Sequence, residues 1–390
     1  MIQVEGVFSG GGGISGEPLD PVEVYNNTRP SDWLSVPTPA DNEMYLLFHI
    51  PDGVSSLLAF TVTCTGNYTV ALGTVSGDSF VAFSSVDIAS GSKYETELFA
   101  DDYGNLTSDG MKQVMVKVSG TDILTWAPST HSKKTSPTNF AGWNIVEIAC
   151  RIPSGTSVAC GSKSEALALR SLRYFTWHGE NAVTDMSYML SNCYSLTVIP
   201  QLDTSAVTNM SYMFSSCYSL TAVPQLDTSA VTNMSYMFSN CYSLTVIPQL
   251  DTSAVTNMNR MLSSCNSLTA IPQLDTSAVT DMKYMFNGCK SLTVIPQLDT
   301  SAVTDMKYMF GGGCYSLTAI TFNRSVTGWA GSAVSLKDCS LGHAAIVAFF
   351  NSLPTITSAK AITLTGNPGV SELTDAEKAI ATGRGWTLTL

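Results

Sequence analysis

Val207-Thr208-Asn209-Met210-Ser211-Tyr212-Met213-Phe214-Ser215-Ser216-Cys217-Tyr218-Ser219-Leu220-Thr221-Ala222-Val223-Pro224-Gln225-Leu226-Asp227-Thr228-Ser229-Ala230 is one copy of a 24-residue unit, and the architecture of the chain turns on it. Met186, Met210, Met234, Met258, Met282 and Met306 recur at that step, as do Cys193, Cys217, Cys241, Cys265 and Cys289. Cys314 follows after 25 residues because Gly311-Gly312-Gly313 adds one. About six copies therefore run from Val183 to Ile320. Met210, Met213, Phe214 and Cys217 stand at i, i+3, i+4 and i+7, the spacing of one helix face. Ser219 to Val223 is short and β-compatible, and Pro224 ends it. A unit this small cannot bury its own apolar stripe, so the copies are expected to stack as a solenoid of helix, strand and turn.

Working outward, Met44 to Phe175 predicts strand after strand: Leu57 to Cys64, Tyr68 to Leu72, Met111 to Val118 and Ile145 to Ile152, punctuated by Gly, Asn, Asp and Ser. A β-sandwich is the expectation for residues 31–178. Residues 1–30, with Gly10 to Gly13 and the Pro18 to Pro21 stretch, read as a flexible arm or linker. Beyond the repeats (179–322), residues 323–390 predict a cap. Its elements are a helix over Gly342 to Leu353, a strand over Ala361 to Leu364, a helix over Thr374 to Thr382 opened by a Thr374/Glu377 capping box, and a strand over Trp386 to Leu390.

Only 13% of the 390 residues are charged, and 31 acidic against 19 basic residues give a net charge of −12. That balance opposes the attraction that draws proteins onto nucleic acid or anionic lipid. No apolar stretch is long enough to span a bilayer, and Met1-Ile2-Gln3-Val4-Glu5 has neither the basic nor the apolar part of a secretory signal. Nucleic acid and membrane insertion are not expected as partners, and no cofactor motif is present. The glycine run lacks the Lys-Ser/Thr of a phosphate loop. His49, His131, His178 and His343 are scattered outside any nucleophile or metal motif, so no catalytic set is expected.

The repeat cysteines are expected to be buried free thiols acting as small hydrophobes, with Cys150 and Cys160 the better pair for a disulfide. Asp203, Asp227, Asp251, Asp275 and Asp299 recur once per coil. Each either caps its turn through the following Thr-Ser amides or contributes to a column of Ca²⁺ ions; one carboxylate per turn weighs against metal. Comparing the copies separates a constant core from drifting surface. The drifting positions keep Tyr188, Tyr212, Tyr236, Arg260, Tyr284 and Tyr308 in one row and Tyr194, Tyr218, Tyr242, Asn266, Lys290 and Tyr315 in another. Aromatic and basic residues displayed this way are expected to form a binding strip, the alternative being that each Tyr only covers the adjacent coil.

The V-T-N-M-S-Y-M-F-S-x-C-Y-S-L-T framework resembles the BspA-type leucine-rich-repeat surface proteins of bacteria. The tail Leu364-Thr365-Gly366-Asn367-Pro368-Gly369, followed by Leu373-Thr374 and Gly385-Trp386, resembles the ends of such proteins encoded by phages. Arg29-Pro30-Ser31-Asp32-Trp33-Leu34 and the Gly66-Asn67-Tyr68-Thr69-Val70 strand resemble the first, PKD-like domain of phage virion proteins that carry these repeats. Ala71-Leu72-Gly73-Thr74 stands where such domains usually carry W-G-D-G. The resemblance implies a mainly β chain with short helices: an N-terminal β-sandwich (PKD/Ig-like), an α/β leucine-rich-repeat solenoid and a C-terminal cap. It implies a non-enzymatic bacteriophage virion protein, a tail fibre, receptor-binding or decoration protein. Such a protein would hold other virion proteins through its N-terminal region and meet a host cell-surface protein or glycan through the repeats. Self-association into a homo-oligomer stays open. The rivals are a secreted bacterial cell-surface adhesin and a glycan-active enzyme with an accessory binding domain.

Overall fold

The computed structural model describes residues 33–51, 55–76, 79–99, 107, 111–128, 145–151, 157–158, 171–177, 183–320 and 333–390. The expected arm, Cys160, His131 and His178 lie outside them. Over the described residues the chain is mainly β with two short α-helices.

Strands β1 (Glu43–Pro51), β2 (Ser55–Ser76), β3 (Ser79–Ala89), β4 (Lys93–Phe99), β5 (Met111–Pro128), β6 (Ile145–Arg151), β7 (Ser157–Val158) and β8 (Tyr174–Trp177) belong to one sheet. Its order is β3-β2-β5-β1-β6-β8, with β4 on β2 and β7 on β5. The sandwich of two sheets is therefore corrected to a single mixed sheet, in which β6–β8 and β5–β7 pair in parallel. The physical reason lies in β2. The two short strands expected at Leu57 to Cys64 and Tyr68 to Leu72 are one 22-residue strand, so β4 and β3 line up along it instead of starting a second layer. Strand alternation explains the packing of β1: Met44, Leu46, Phe48 and Ile50 join the main core, while Tyr45 and Leu47 face a second cluster with Trp33, Met115 and Tyr174. The second face is covered by the segment carrying Trp33, Leu34 and Val36.

The α/β leucine-rich-repeat solenoid is also corrected, because residues 183–320 contain no α-helix and no strand ladder. Each unit is a series of turns. Met213 N–H donates to Met210 O at 3.2 Å, Ser215 N–H to Tyr212 O at 3.1 Å and Cys217 N–H to Phe214 O at 3.1 Å. The alternate amides leave the unit: Met210, Tyr212, Phe214 and Ser216 donate to Asn233, Ser235, Met237 and Ser239 of the following copy at 2.7–3.0 Å. A helix would need all these amides for itself. Tyr212 and Ser216 also hold φ of 60° and 61°, left-handed values that break any right-handed helix. Met210, Met213, Phe214 and Cys217 are nonetheless fully buried, so the i, i+3, i+4, i+7 spacing located the inward side of a turn series.

The segment expected as a strand, Ser219 to Val223, stays irregular. Successive copies touch there through few backbone bonds, such as Thr245 N–H to Thr221 O at 3.1 Å. Glutamine side chains bridge the remainder: Gln201 Nε2 donates to Gln225 O, and Gln225 Nε2 to Gln249 O, each at 2.5 Å. Beyond the repeats, α1 (His343–Ser352) and α2 (Asp375–Thr382) pack with the parallel strands β9 (Val334–Ser335), β10 (Lys360–Thr363) and β11 (Trp386–Thr389). Ser340 N–H donates to Leu317 O at 3.1 Å, joining this unit to the last copy.

Candidate functional site

The tyrosine row begins with a local turn. Asn209 Oδ1 accepts the amide hydrogen of Ser211 at 3.1 Å, and Asp185, Asn233, Asn257, Asp281 and Asp305 do the same for the residue two places on. This Asx-turn feeds the chain into a left-handed residue, and φ is 60°, 60°, 58°, 53°, 57° and 56° at Tyr188, Tyr212, Tyr236, Arg260, Tyr284 and Tyr308. A bulky side chain there costs about 1–2 kcal/mol. The amide bonds between copies and the stacking of the side chains hold it in place. The Asn or Asp that starts each turn is a constant position ahead of the first Met in all six copies.

The side chains form one column. Ring centroids of Tyr188 and Tyr212 are 4.5 Å apart, those of Tyr212 and Tyr236 4.2 Å, and those of Tyr284 and Tyr308 5.1 Å. Arg260 fills the gap, its guanidinium 3.9 Å from the Tyr284 centroid and 5.6 Å from that of Tyr236. A second column, Tyr194, Tyr218 and Tyr242, stacks at 4.4 and 4.8 Å and ends at Asn266; Lys290 and Tyr315 stand exposed further along. The rings thus cover one another's faces, and edges and hydroxyls are what remain for solvent. Desolvation raises the pKa of the Tyr188, Tyr212 and Tyr242 phenols, and the charge of neighbouring phenols adds to it.

An open groove of about 440 Å³ runs beside the first column, lined by Tyr188, Tyr212, Tyr236 and Arg260 on one side and by serines and asparagines on the other. A larger open groove, of about 1080 Å³, lies among the Gln and Asp rows. There Asp203, Asp227, Asp251, Asp275 and Asp299 each accept the amide hydrogen of the serine two residues on, at 2.8–3.1 Å. Ser205, Ser229, Ser253 and Ser277 add an O–H donor at 2.7 Å. These bonds hold the Asp227, Asp251 and Asp275 carboxyls below the usual carboxylate range. Among the described residues no three His, Cys, Asp or Glu side chains gather in a way that could hold a metal ion.

The cysteines of successive copies point into the core. Cys217, Cys241, Cys265, Cys289 and Cys314 donate S–H to Leu190, Phe214, Phe238, Leu262 and Phe286 carbonyls at 3.0–3.2 Å. Cys150 carries a buried free thiol. Of the histidines, His49 Nε2 lies 2.7 Å from Gln113 Nε2 in the sheet, and His343 Nε2 lies 3.0 Å from Glu377 Oε1 between α1 and α2. The two are on different elements. No helix among the described residues is long and apolar enough to cross a membrane.

Residues 173–270 and 257–346 match a family described as "Mycoplasma protein of unknown function, DUF285". The two overlapping matches take in the whole repeat region and less than half of the chain. That finding is consistent with the BspA-like character of the repeats. No curated protein matches the chain.

Proposed function

We propose, from that likeness and from the aromatic column, that this chain is a non-enzymatic recognition protein of a bacteriophage particle, a tail fibre, receptor-binding or decoration protein. The N-terminal region holds it to other virion proteins, and the repeats meet a host cell-surface protein or glycan. The observation that carries the reading is the row from Tyr188 to Tyr308, in which six bulky residues share a left-handed backbone and one continuous stack. Backbone strain repeated in register is retained where the surrounding structure over-determines it, and such places cluster at binding surfaces. Stacking also removes side-chain freedom before a partner arrives, which lowers the ordering cost of contact. The phage setting draws its support from the Leu364 to Gly369 tail.

A second setting, suggested by the BspA-type resemblance and a family named for Mycoplasma, is display of the same surface on a bacterial cell. Mass spectrometry of purified particles and of washed host cells separates the two: stoichiometric copies in the particle support the first, and recovery with the cell envelope alone supports the second. The recognition reading itself is tested by attachment of the purified chain to host cells. Replacing Tyr212, Tyr236 and Tyr284 with Ser should abolish attachment while the protein stays folded by circular dichroism; a folded variant that attaches as before would sink the reading.

A further inference from the structure

We propose that the groove beside the tyrosine column binds an acidic glycan, with Arg260 pairing to a carboxylate or sulfate oxyanion of the sugar chain. This rests on the recognition reading and names the ligand class for that site. Three observations lead to it.

The first concerns charge. The chain carries a net charge of −12, yet no Asp or Glu lines this groove. Arg260 is the cation in its lining, and its guanidinium makes no hydrogen bond and no ion pair with any described residue. The contrast with Lys283 is direct, since that ammonium is held by Asp305 at 2.7 Å. Two tyrosine faces fix the plane of the Arg260 fork and leave its N–H edge unused. A planar fork of this kind matches a carboxylate or sulfate through two parallel bonds.

The second concerns the floor. Ser215 and Ser239 are only 7% and 4% exposed, both line the groove, and neither hydroxyl has a hydrogen-bond partner among the described residues. Both hydroxyls line the groove at equivalent places in adjacent copies, so both are available to a group that enters it. A hydroxyl both donates and accepts, and so does each sugar hydroxyl.

The third concerns what the groove excludes. The stacked rings cover each other at 4.2–4.5 Å along Tyr188, Tyr212 and Tyr236, which leaves no room between them for a nucleic-acid base to lie on a ring face. One cation on an acidic chain also gives no track for a phosphate backbone. An extended peptide would pair with free backbone amides, but Tyr212 and Phe214 already donate theirs to the following copy. A hydroxyl-rich chain bearing an oxyanion remains.

The test uses the full-length protein and titration calorimetry with four probes: a hyaluronan hexasaccharide, a chondroitin sulfate hexasaccharide, cellohexaose and a short polyglutamate. Binding of either acidic sugar, weakened by added salt, with cellohexaose and polyglutamate at least about tenfold weaker, is the expected result. Preference between the two acidic sugars distinguishes carboxylate from sulfate as the source of the oxyanion. Arg260→Tyr removes the charge while installing the residue that the other five copies carry, so the column can close. It should lose about tenfold or more in affinity for the acidic sugar with an unchanged melting temperature, and Ser239→Ala should weaken binding in the same direction. Equal binding of cellohexaose, equal binding of polyglutamate, or full affinity in Arg260→Tyr overturns the proposal. Attachment to host cells with no affinity for either acidic sugar overturns it while leaving the recognition reading intact; loss of both defeats the two together.

Discussion

The rings of Phe214 and Phe238 lie 5.6 Å apart and 9° from parallel, both fully buried, and Phe286 and Phe310 repeat the arrangement at 5.8 Å. Between the two pairs Leu262 takes the equivalent place, also fully buried. The core of the repeats is thus a column in which each copy covers the inward side chain of its neighbour. Phe238→Ala should cost about 3–5 kcal/mol and Leu244→Ala about 2–5 kcal/mol in urea unfolding. A midpoint like that of the unaltered protein for either would show that the column is not what holds the copies together.

The left-handed positions predict different outcomes for two substitutions of one residue. Ser216 has φ of 61°, and its equivalents Gly288 and Gly312 have 74° and 68°. Ser216→Gly should leave stability nearly unchanged, whereas Ser216→Val should destabilise by about 1–2 kcal/mol, because a β-branched side chain meets the backbone in this region. Denaturant midpoints of the pair decide it; equal midpoints would mean that the turn relaxes.

Thiol reactivity should be locked by the fold. Burial raises the Cys241 thiol to about 12 and pushes Cys217, Cys265 and Cys289 up as well. At mildly alkaline pH the native protein should leave these repeat cysteines unmodified by an alkylating reagent and release them together on unfolding. Peptide mapping after a native pulse reads this directly, and early labelling of Cys241 would contradict its placement.

Calcium removal should leave the melting temperature unchanged. Asp227, Asp251 and Asp275 already accept an amide and a hydroxyl hydrogen from the serine two places on, so the row is fixed without an ion. A melting temperature that falls with chelator and returns with Ca²⁺ would reassign the row to metal.

The cap should be acid-sensitive. Glu377 accepts the Thr374 amide hydrogen at 2.8 Å, and that bond, with those from His343 and the Thr374 hydroxyl, lowers its pKa from 4.5 to about 2. A depressed carboxyl contributes stability above its unfolded value and loses it as pH falls through the folded one. The contribution of the Thr374/Glu377 box should therefore be present at neutral pH and disappear between about pH 4.5 and about pH 2. Comparing Glu377→Gln with the parent by thermal melts across that range tests it; a difference that does not shrink toward low pH would count against the assignment.

Much of the repeat was readable from its own copies. A residue that stays Met, Phe, Cys or Leu through six units has to face inward, and every such position is buried. The backbone was not readable in the same way. Apolar spacing of i, i+3, i+4 and i+7 specifies which side chains share a side, and a series of turns satisfies it as well as a helix does. The Asn or Asp before the first Met does not decide between them, because a bond from its side chain to the amide two places on opens helices as well as turns; the left-handed Tyr or Arg three places on breaks the helix. In the sheet, nothing local in Thr65-Gly66-Asn67 distinguishes a hairpin from the irregular passage it makes inside β2, where the register to β5 shifts but the strand continues. The unpaired state of Arg260 depends on which residues the neighbouring copies bring beside it, so only the assembled stack reveals it.

The alternate-amide pattern has a consequence for inheritance. Each copy hands Met210-, Tyr212-, Phe214- and Ser216-type hydrogens to acceptors that every following copy also offers. Excising residues 231–254 would bring Asn257 to the place of Asn233 and leave each donor with an equivalent acceptor. Whole units can therefore be gained or lost without leaving a donor unmatched, lengthening or shortening each column by one side chain at each event. The Arg260 copy and the 25-residue step at Gly311-Gly312-Gly313 are the landmarks that such exchanges would shuffle in position.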